Sequence, residues 1–165
     1  MEIRPCQPED SQSICDIYSY YVENTVISFE EVAPTVAEMA QRIATCTETY
    51  PWLVCHDGVE IVGYAHAGKW QQRCAYRLCV ESTVYLKHGK AGKGYGTGLY
   101  RELLAVLQRQ GFHMAIAGIA LPNEASVKLH EQCGFTKVAH FSEVGRKFDR
   151  WLDVGYWQKK LENDA

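Results

Sequence analysis

The chain reads as a mixed α/β domain built on a twisted, partly parallel sheet. Three observations predict it. The apolar period switches between helical and strand spacing, a glycine-rich loop stands between a strand and a helix, and an unbroken apolar strand follows that helix. Strand, crossover helix and buried strand make a βαβ unit, whose two strands run parallel. About seven strands and about four helices are predicted in one domain spanning 1–165, with no repeats and no low-complexity linker.

The elements follow in order. A short strand, EIRP, precedes PEDSQSICDIYSYYVENT, where Ile14, Ile17, Tyr18, Tyr21 and Val22 recur at helical spacing and Asp10 or Ser11 can cap. PTVAEMAQRIATCTE repeats the pattern, with Thr35 as cap and Val36, Met39, Ala40 and Ile43 as its stripe. WLVCHDGVEIVGYAHAG reads as two strands joined by a tight turn at Asp57-Gly58, since both positions tolerate positive φ. YRLCVESTVYL is the strand before the glycine loop. LYRELLAVLQRQG then sets Leu99, Leu103, Val106 and Leu107 on one helix face and stops at Gly111. HMAIAGIAL shows no alternation, which predicts burial on both faces. PNEASVKLHEQCGF is a short helix from Asn123, its N-cap, to Gly134, and FTKVAHFSEV and RWLDVGYWQKKL are the final strands.

Composition excludes several classes. A net charge of −3 over 165 residues offers no basic face for nucleic acid. The polar, acidic start MEIRPCQPEDSQ is not a signal peptide, and the apolar run MAIAGIAL is far short of the ~18 residues of a membrane span. A cytoplasmic protein with neither nucleic-acid nor membrane partner is expected. Seven cysteines, an odd number with no C-x-x-C pair, argue against a disulfide framework and a zinc site, so no metal is predicted. Cys15, Cys55, Cys79 and Cys133 sit in apolar settings as small hydrophobes.

The loop KHGKAGKGYGTG invites a phosphate. It fails the P-loop pattern, because Lys87 and Gly94 stand where Gly and Ser or Thr are required. It fails the dinucleotide fingerprint, because Thr97 or Leu99 takes the place of the last glycine. Successive N–H groups at a helix start could instead face a pyrophosphate. A plain glycine-rich turn remains the alternative on this loop alone.

The loop resembles the acetyl-CoA pattern Q/R-x-x-G-x-G/A of the GNAT superfamily of N-acetyltransferases, read here from Ala91 to Gly96. VESTVYL, PNEASVKLHEQCGF, FDRWLDVGYWQ, YPWLV and KWQQRCAY extend the likeness over the whole chain, towards the phosphinothricin acetyltransferase branch. Ala91 departs from the pattern, with Lys90 and Lys93 available to replace some of the charge. The resemblance implies a GNAT fold with acetyl-CoA between two central parallel strands. It also implies acetylation of a small amino acid or analogue, of the phosphinothricin or methionine sulfone and sulfoximine type, and a homodimer built through the carboxy-terminal strands. By the same resemblance, Val84, Tyr85 and Leu86 pair with the pantetheine arm. The N–H groups of Gly92, Lys93, Gly94, Tyr95, Gly96 and Thr97 hold the pyrophosphate, and Asn123 and Ser126 line the pantetheine.

Acetyl transfer needs a base for the ammonium, a donor for the oxyanion and a proton for the thiolate. Glu81 is the candidate base: a lone carboxylate in an apolar strand has its pKa raised by burial, and the branch has its proposed base there. A solvent-facing strand glutamate is the bland alternative. The resemblance puts the oxyanion donor at an N–H near Leu86, at a strand irregularity. His130 takes the position of the proton donor and shares a helix face with Ser126; a histidine bonded to nearby backbone is the alternative. The other five histidines carry no comparable context. On a regular strand Arg77, Glu81, Thr83 and Tyr85 share a face, with Arg77 and Glu81 ~13 Å apart. Arg77 or Arg73 could then clamp a carboxylate, sulfone or phosphinate oxygen. Phe29, Glu30 and Trp70 resemble the lining of the amine end, while Phe148 and Trp151 suit core or subunit contacts. Two rival functions are a protein or peptide N-acetyltransferase and a silent acyl-CoA-binding sensor.

Overall fold

The computed structural model describes residues 1–161. Among these, strands β1 (Glu2–Pro5), β2 (Trp52–His56), β3 (Ile61–Lys69), β4 (Cys79–Leu86), β5 (Met114–Leu121), β6 (Thr136–Lys147) and β7 (Arg150–Lys160) form one sheet. Its order is β1-β2-β3-β4-β5-β7-β6. Helices α1 (Ser11–Asn24) and α2 (Val36–Thr47) cover one face, burying Ile14, Ile17, Met39 and Ile43 against Trp52, Val54 and Tyr64. Helices α3 (Tyr95–Arg109) and α4 (Glu124–Gln132) serve the other, where Leu99, Leu103 and Leu107 pack on Ala65, Val80, Ala115 and Ala117. The predicted mixed sheet and its four helices are what the structure contains.

Local chemistry explains the boundaries. Thr35 caps α2 in a capping box, accepting from Glu38 N while the Glu38 carboxylate accepts from Thr35 N. Of the two candidates for α1, Asp10 is the N-cap residue, but its side chain makes no capping bond: the carboxylate takes the Arg4 guanidinium at 2.7 and 2.9 Å and Gln7 N at 2.8 Å. The turn at Asp57-Gly58 is wider than expected and spans 57–60, because Asp57 Oδ1 accepts from both Val59 N and Glu60 N. At the other end of the molecule, Phe148 and Asp149 join β6 to β7 with φ of 50° and 56°, the left-handed pair of a two-residue hairpin.

Two further expectations change. β4 starts at Cys79, because Cys74–Tyr76 form a 3₁₀ turn whose end, Arg77, bonds back to the Cys74 carbonyl. Arg77 therefore lies outside the strand and does not share the regular face of Glu81. β5 is buried on one face only: Ala115, Ala117 and Ile119 are in the core, whereas Gly118 is exposed and Ala120 half-buried. Small residues on its open face leave room there, and their apolarity hides the period of two.

The parallel pair β4–β5 is short. Cys79, Val80 and Glu81 pair with Met114, Ala115 and Ile116, and beyond Glu81 the strands part. Ser82 Oγ donates to the Ile116 carbonyl and so accepts from Tyr100 Oη at 2.7 Å, which ties α3 to the base of the split.

Candidate active site

Glu81 stands where the sheet divides. Its side chain enters an open cavity of about 760 Å³ that Thr83 and Tyr85 of β4 also line, as strand parity requires. β5 contributes Gly118 and Ala120, and β7 contributes Val154 and Tyr156. Tyr18 of α1 and residues 27–30 close another wall, while Phe141 and Val144 of β6 form the rim. No hydrogen bond or ion pair to the Glu81 carboxylate is found among the described residues, and burial raises its pKa above the usual carboxylate value. Gly118 makes the space: a Cβ there would come within 3.6 Å of Glu81 Oε1 and 3.1 Å of the Tyr156 ring. Burial and the charge of Glu81 together raise the Tyr156 hydroxyl.

On the other side of the split lies the glycine loop. Gly92 and Gly94 have φ of 80° and 81°, and a Cβ on either would point into open space. Gly94 is the N-cap of α3, so the first N–H groups of that helix lack helical acceptors and face the loop. Gly96 is buried against Leu86 and Leu129, letting the helix start close to β4. Lys90 is not available as a substitute charge. It is held by Asp57 at 2.9 Å and Glu60 at 3.0 Å, and Lys87 also pairs with Glu60. This cluster keeps the Asp57 carboxyl well below its usual range, chiefly through Lys90, and ties the loop to the 57–60 turn. Lys93 is exposed, with no ion pair found among the described residues.

Val84, Tyr85 and Leu86 lie beyond the last β4–β5 pair, as a strand-like partner would need. The irregularity expected near Leu86 is absent: the register with β3 runs unbroken from Gly63↔Leu86 to Lys69↔Val80. The Leu86 carbonyl accepts from Tyr21 Oη at 2.6 Å. On α4, Asn123 caps the helix through Ser126 N at 3.2 Å. His130 is buried against Tyr100 and Phe135, and its Nδ1 donates to the Ser126 carbonyl at 2.7 Å. Neutral and held this way, the imidazole presents a bare Nε2; donating from Nε2 requires the imidazolium, which burial disfavours. His66 stacks on Trp52 at 4.0 Å, and burial lowers it to about 4, a structural placement.

Of the residues expected at the amine end, Phe29, Glu30 and Thr83 share the cavity with Glu81. The Glu30 carboxylate is engaged by Arg42 at 2.7 and 3.0 Å. Trp70 meets the wall indirectly, edge-on to Tyr156 at 5.6 Å. Arg73 and Arg77 are exposed and do not line the cavity. Sequence reasoning missed Tyr18, Gly118, Tyr156, Phe141 and Val144. For Gly118 a signal existed, the run of small residues on one parity of β5.

A family model described as an acetyltransferase (GNAT) domain matches residues 3–155. The chain is 39% identical to the phosphinothricin N-acetyltransferase of Streptomyces viridochromogenes, over all of this chain and 90% of that protein. It is 35% identical to the L-methionine sulfoximine/L-methionine sulfone acetyltransferase of Salmonella typhimurium, over all of this chain and 97% of that protein. A phosphinothricin acetyltransferase of the GNAT superfamily from Sinorhizobium meliloti, solved in complex with acetyl-CoA, superposes with a TM-score of 0.93 at 36% identity, covering 97% of this chain and 88% of its own. With the divided sheet, the glycine seat and these likenesses together, the chain belongs to the GNAT family of acetyltransferases.

Proposed function

We propose that the protein acetylates the α-amino group of a small amino acid or analogue, of the phosphinothricin or methionine sulfone and sulfoximine type, at the expense of acetyl-CoA. One observation carries the reading. A half-buried carboxylate, Glu81, for which no partner is found among the described residues, sits where β4 leaves β5, with an open cavity on one side and the glycine seat beyond the split. The residues fit acetyl-CoA: Gly92 and Gly94 form a cradle that side chains would fill, and residues 84–86 have no β5 partner beyond the last pair at Glu81. In the proposal, Gly92, Lys93, Gly94, Tyr95, Gly96 and Thr97 hold the pyrophosphate, and Asn123 and Ser126 flank the pantetheine. Acetyl-CoA supplies an activated thioester when bound. Glu81 takes the proton from the substrate ammonium, and the freed amine attacks the thioester carbonyl directly; the C–S bond then breaks, and the proton shed by the acylated nitrogen balances the one taken up by the leaving thiolate. Burial beside Gly118 and Tyr156 raises the Glu81 carboxyl, which makes its carboxylate a stronger base than one in open water. Thiol release from acetyl-CoA, measured against a panel of free amino acids and analogues, tests the function. Tight CoA binding with no turnover of any amine would favour the silent sensor, and turnover of basic peptides alone would favour the peptide enzyme.

Arg73 and Arg77 enter the proposal as clamps for the acidic end of the substrate, on the segment that leaves the cavity wall near Trp70 and rejoins the sheet at Cys79. Arg77→Ala is expected to raise KM for the amine several-fold and to leave KM for acetyl-CoA alone. Equal effects on both constants would make the residue structural. We further propose a single-domain, cytoplasmic homodimer. No helix among the described residues is long and apolar enough to cross a membrane. Val138, Val144, Phe148 and Trp151 of the carboxy-terminal hairpin are all at least half exposed, which removes the last two from the core and suits a subunit contact. Sedimentation at micromolar concentration should give twice the chain mass, and Trp151→Asp should shift it towards one.

A further inference from the structure

The segment joining α1 to α2 forms a wall of the amine cavity through Ile27, Ser28, Phe29 and Glu30, yet it contains neither helix nor strand. Such a segment needs outside anchors to keep one shape. Two of them come from β6, far away in sequence. Lys147 is 3% exposed, and its Nζ donates to the Ser28 carbonyl at 2.7 Å across a separation of 119 residues. Its ammonium lies 5.1 Å from the Phe148 ring centroid, and the field of Glu31 and Glu30 supports the charge against burial. Two residues away, Gly145 seats the ring of Phe29. A Cβ at Gly145 would clash with Cε2 of Phe29, so the ring occupies space that only glycine leaves free. Within the segment, Ser28 Oγ meets Tyr18 Oη at 2.8 Å and accepts from Glu30 N at 3.2 Å, passing the anchor on to both neighbours.

We propose that Lys147 and Gly145 are positioning residues that set amine specificity. They hold residues 27–30 against β6 and thereby fix the width of the cavity along that wall. Neither lines the cavity, so each acts through Ser28 or Phe29. The inference rests on the reading of this cavity as the amine site. It separates the two substrates, because neither residue approaches the glycine loop.

Two variants and two readouts test it. Lys147→Met keeps the stem and removes the donor; Gly145→Ala leaves Lys147 in place and displaces Phe29. With methionine sulfone as probe, Lys147→Met is expected to raise the amine KM about tenfold while KM for acetyl-CoA stays within about twofold. Gly145→Ala is expected to alter the ranking of amines by kcat/KM. Hydrogen–deuterium exchange, which needs no turnover, should quicken in peptides covering 25–35 in both variants and stay unchanged over 84–97. Unaltered exchange in 25–35, or a parallel rise of both KM values, would overturn the proposal. A Lys147→Met chain that fails to fold leaves the decision to Gly145→Ala. If the parent protein turns over no amine, the proposed function falls, while the exchange comparison still decides whether β6 holds this wall.

Discussion

Glu81→Gln is expected to lower kcat/KM by about 10²–10⁴ near neutral pH, with partial recovery in alkaline solution. The sign follows from the site. A base must be ionised to act, and burial raises the Glu81 carboxyl above its usual pKa. The parent's kcat/KM therefore climbs with pH through that raised value, and the glutamine variant should lack this limb. Its residual rate should follow only the spontaneous deprotonation of the amine. A pH–rate profile identical to the parent's would remove Glu81 from the role. Stability should move the other way. A folded pKa above the unfolded value means that stability is fully present below the unfolded pKa, about 4.3, and is lost as pH rises through the folded one. Glutamine abolishes that loss, so the inactive variant should melt at the same temperature as the parent or higher at neutral pH. Thermal melts across pH check this, and a much less stable variant would mean that the carboxylate has a structural partner.

Gly94→Val should have the second large effect, on the cofactor. The residue has φ of 81° at the N-cap of α3, a conformation that β-branched side chains avoid at a cost of ~1–2 kcal/mol or more. The added side chain would also enter the open space in front of the first helical N–H groups. CoA binding by calorimetry should weaken by about a hundredfold or more, since both the backbone donors and the approach to them are disturbed. The amine cavity, on the far side of the split, should keep its shape. Unchanged CoA affinity would move the pyrophosphate away from this loop.

The glycine seat is legible in the sequence because its determinants are local. Glycines with positive φ, a strand parity and the opening of a helix all fall between Cys79 and Thr97, and pattern rules act over such distances. The amine half was not. The residue pattern starts the strand early and so sets Arg77 on the Glu81 face, yet the chain turns at Cys74–Tyr76 instead. β5 looked buried on both faces because alanine and glycine are apolar whether they pack or leave a gap. Lys90 looked free for phosphate because nothing in its own segment predicts Asp57 and Glu60, which arrive from another turn. For His130 the sequence leaves a proton donor and a backbone-bonded histidine both open, and only the structure shows its Nδ1 on the Ser126 carbonyl.

The reach of Lys147 back to Ser28 has a consequence for assembly. The glycine seat, its strand and its helix are neighbours in the chain and can organise with little loop-closure entropy. The wall beside Phe29 waits for a partner 119 residues downstream. During synthesis the glycine seat can therefore form while the wall at residues 27–30 still lacks its anchor, which arrives only with the last hairpin.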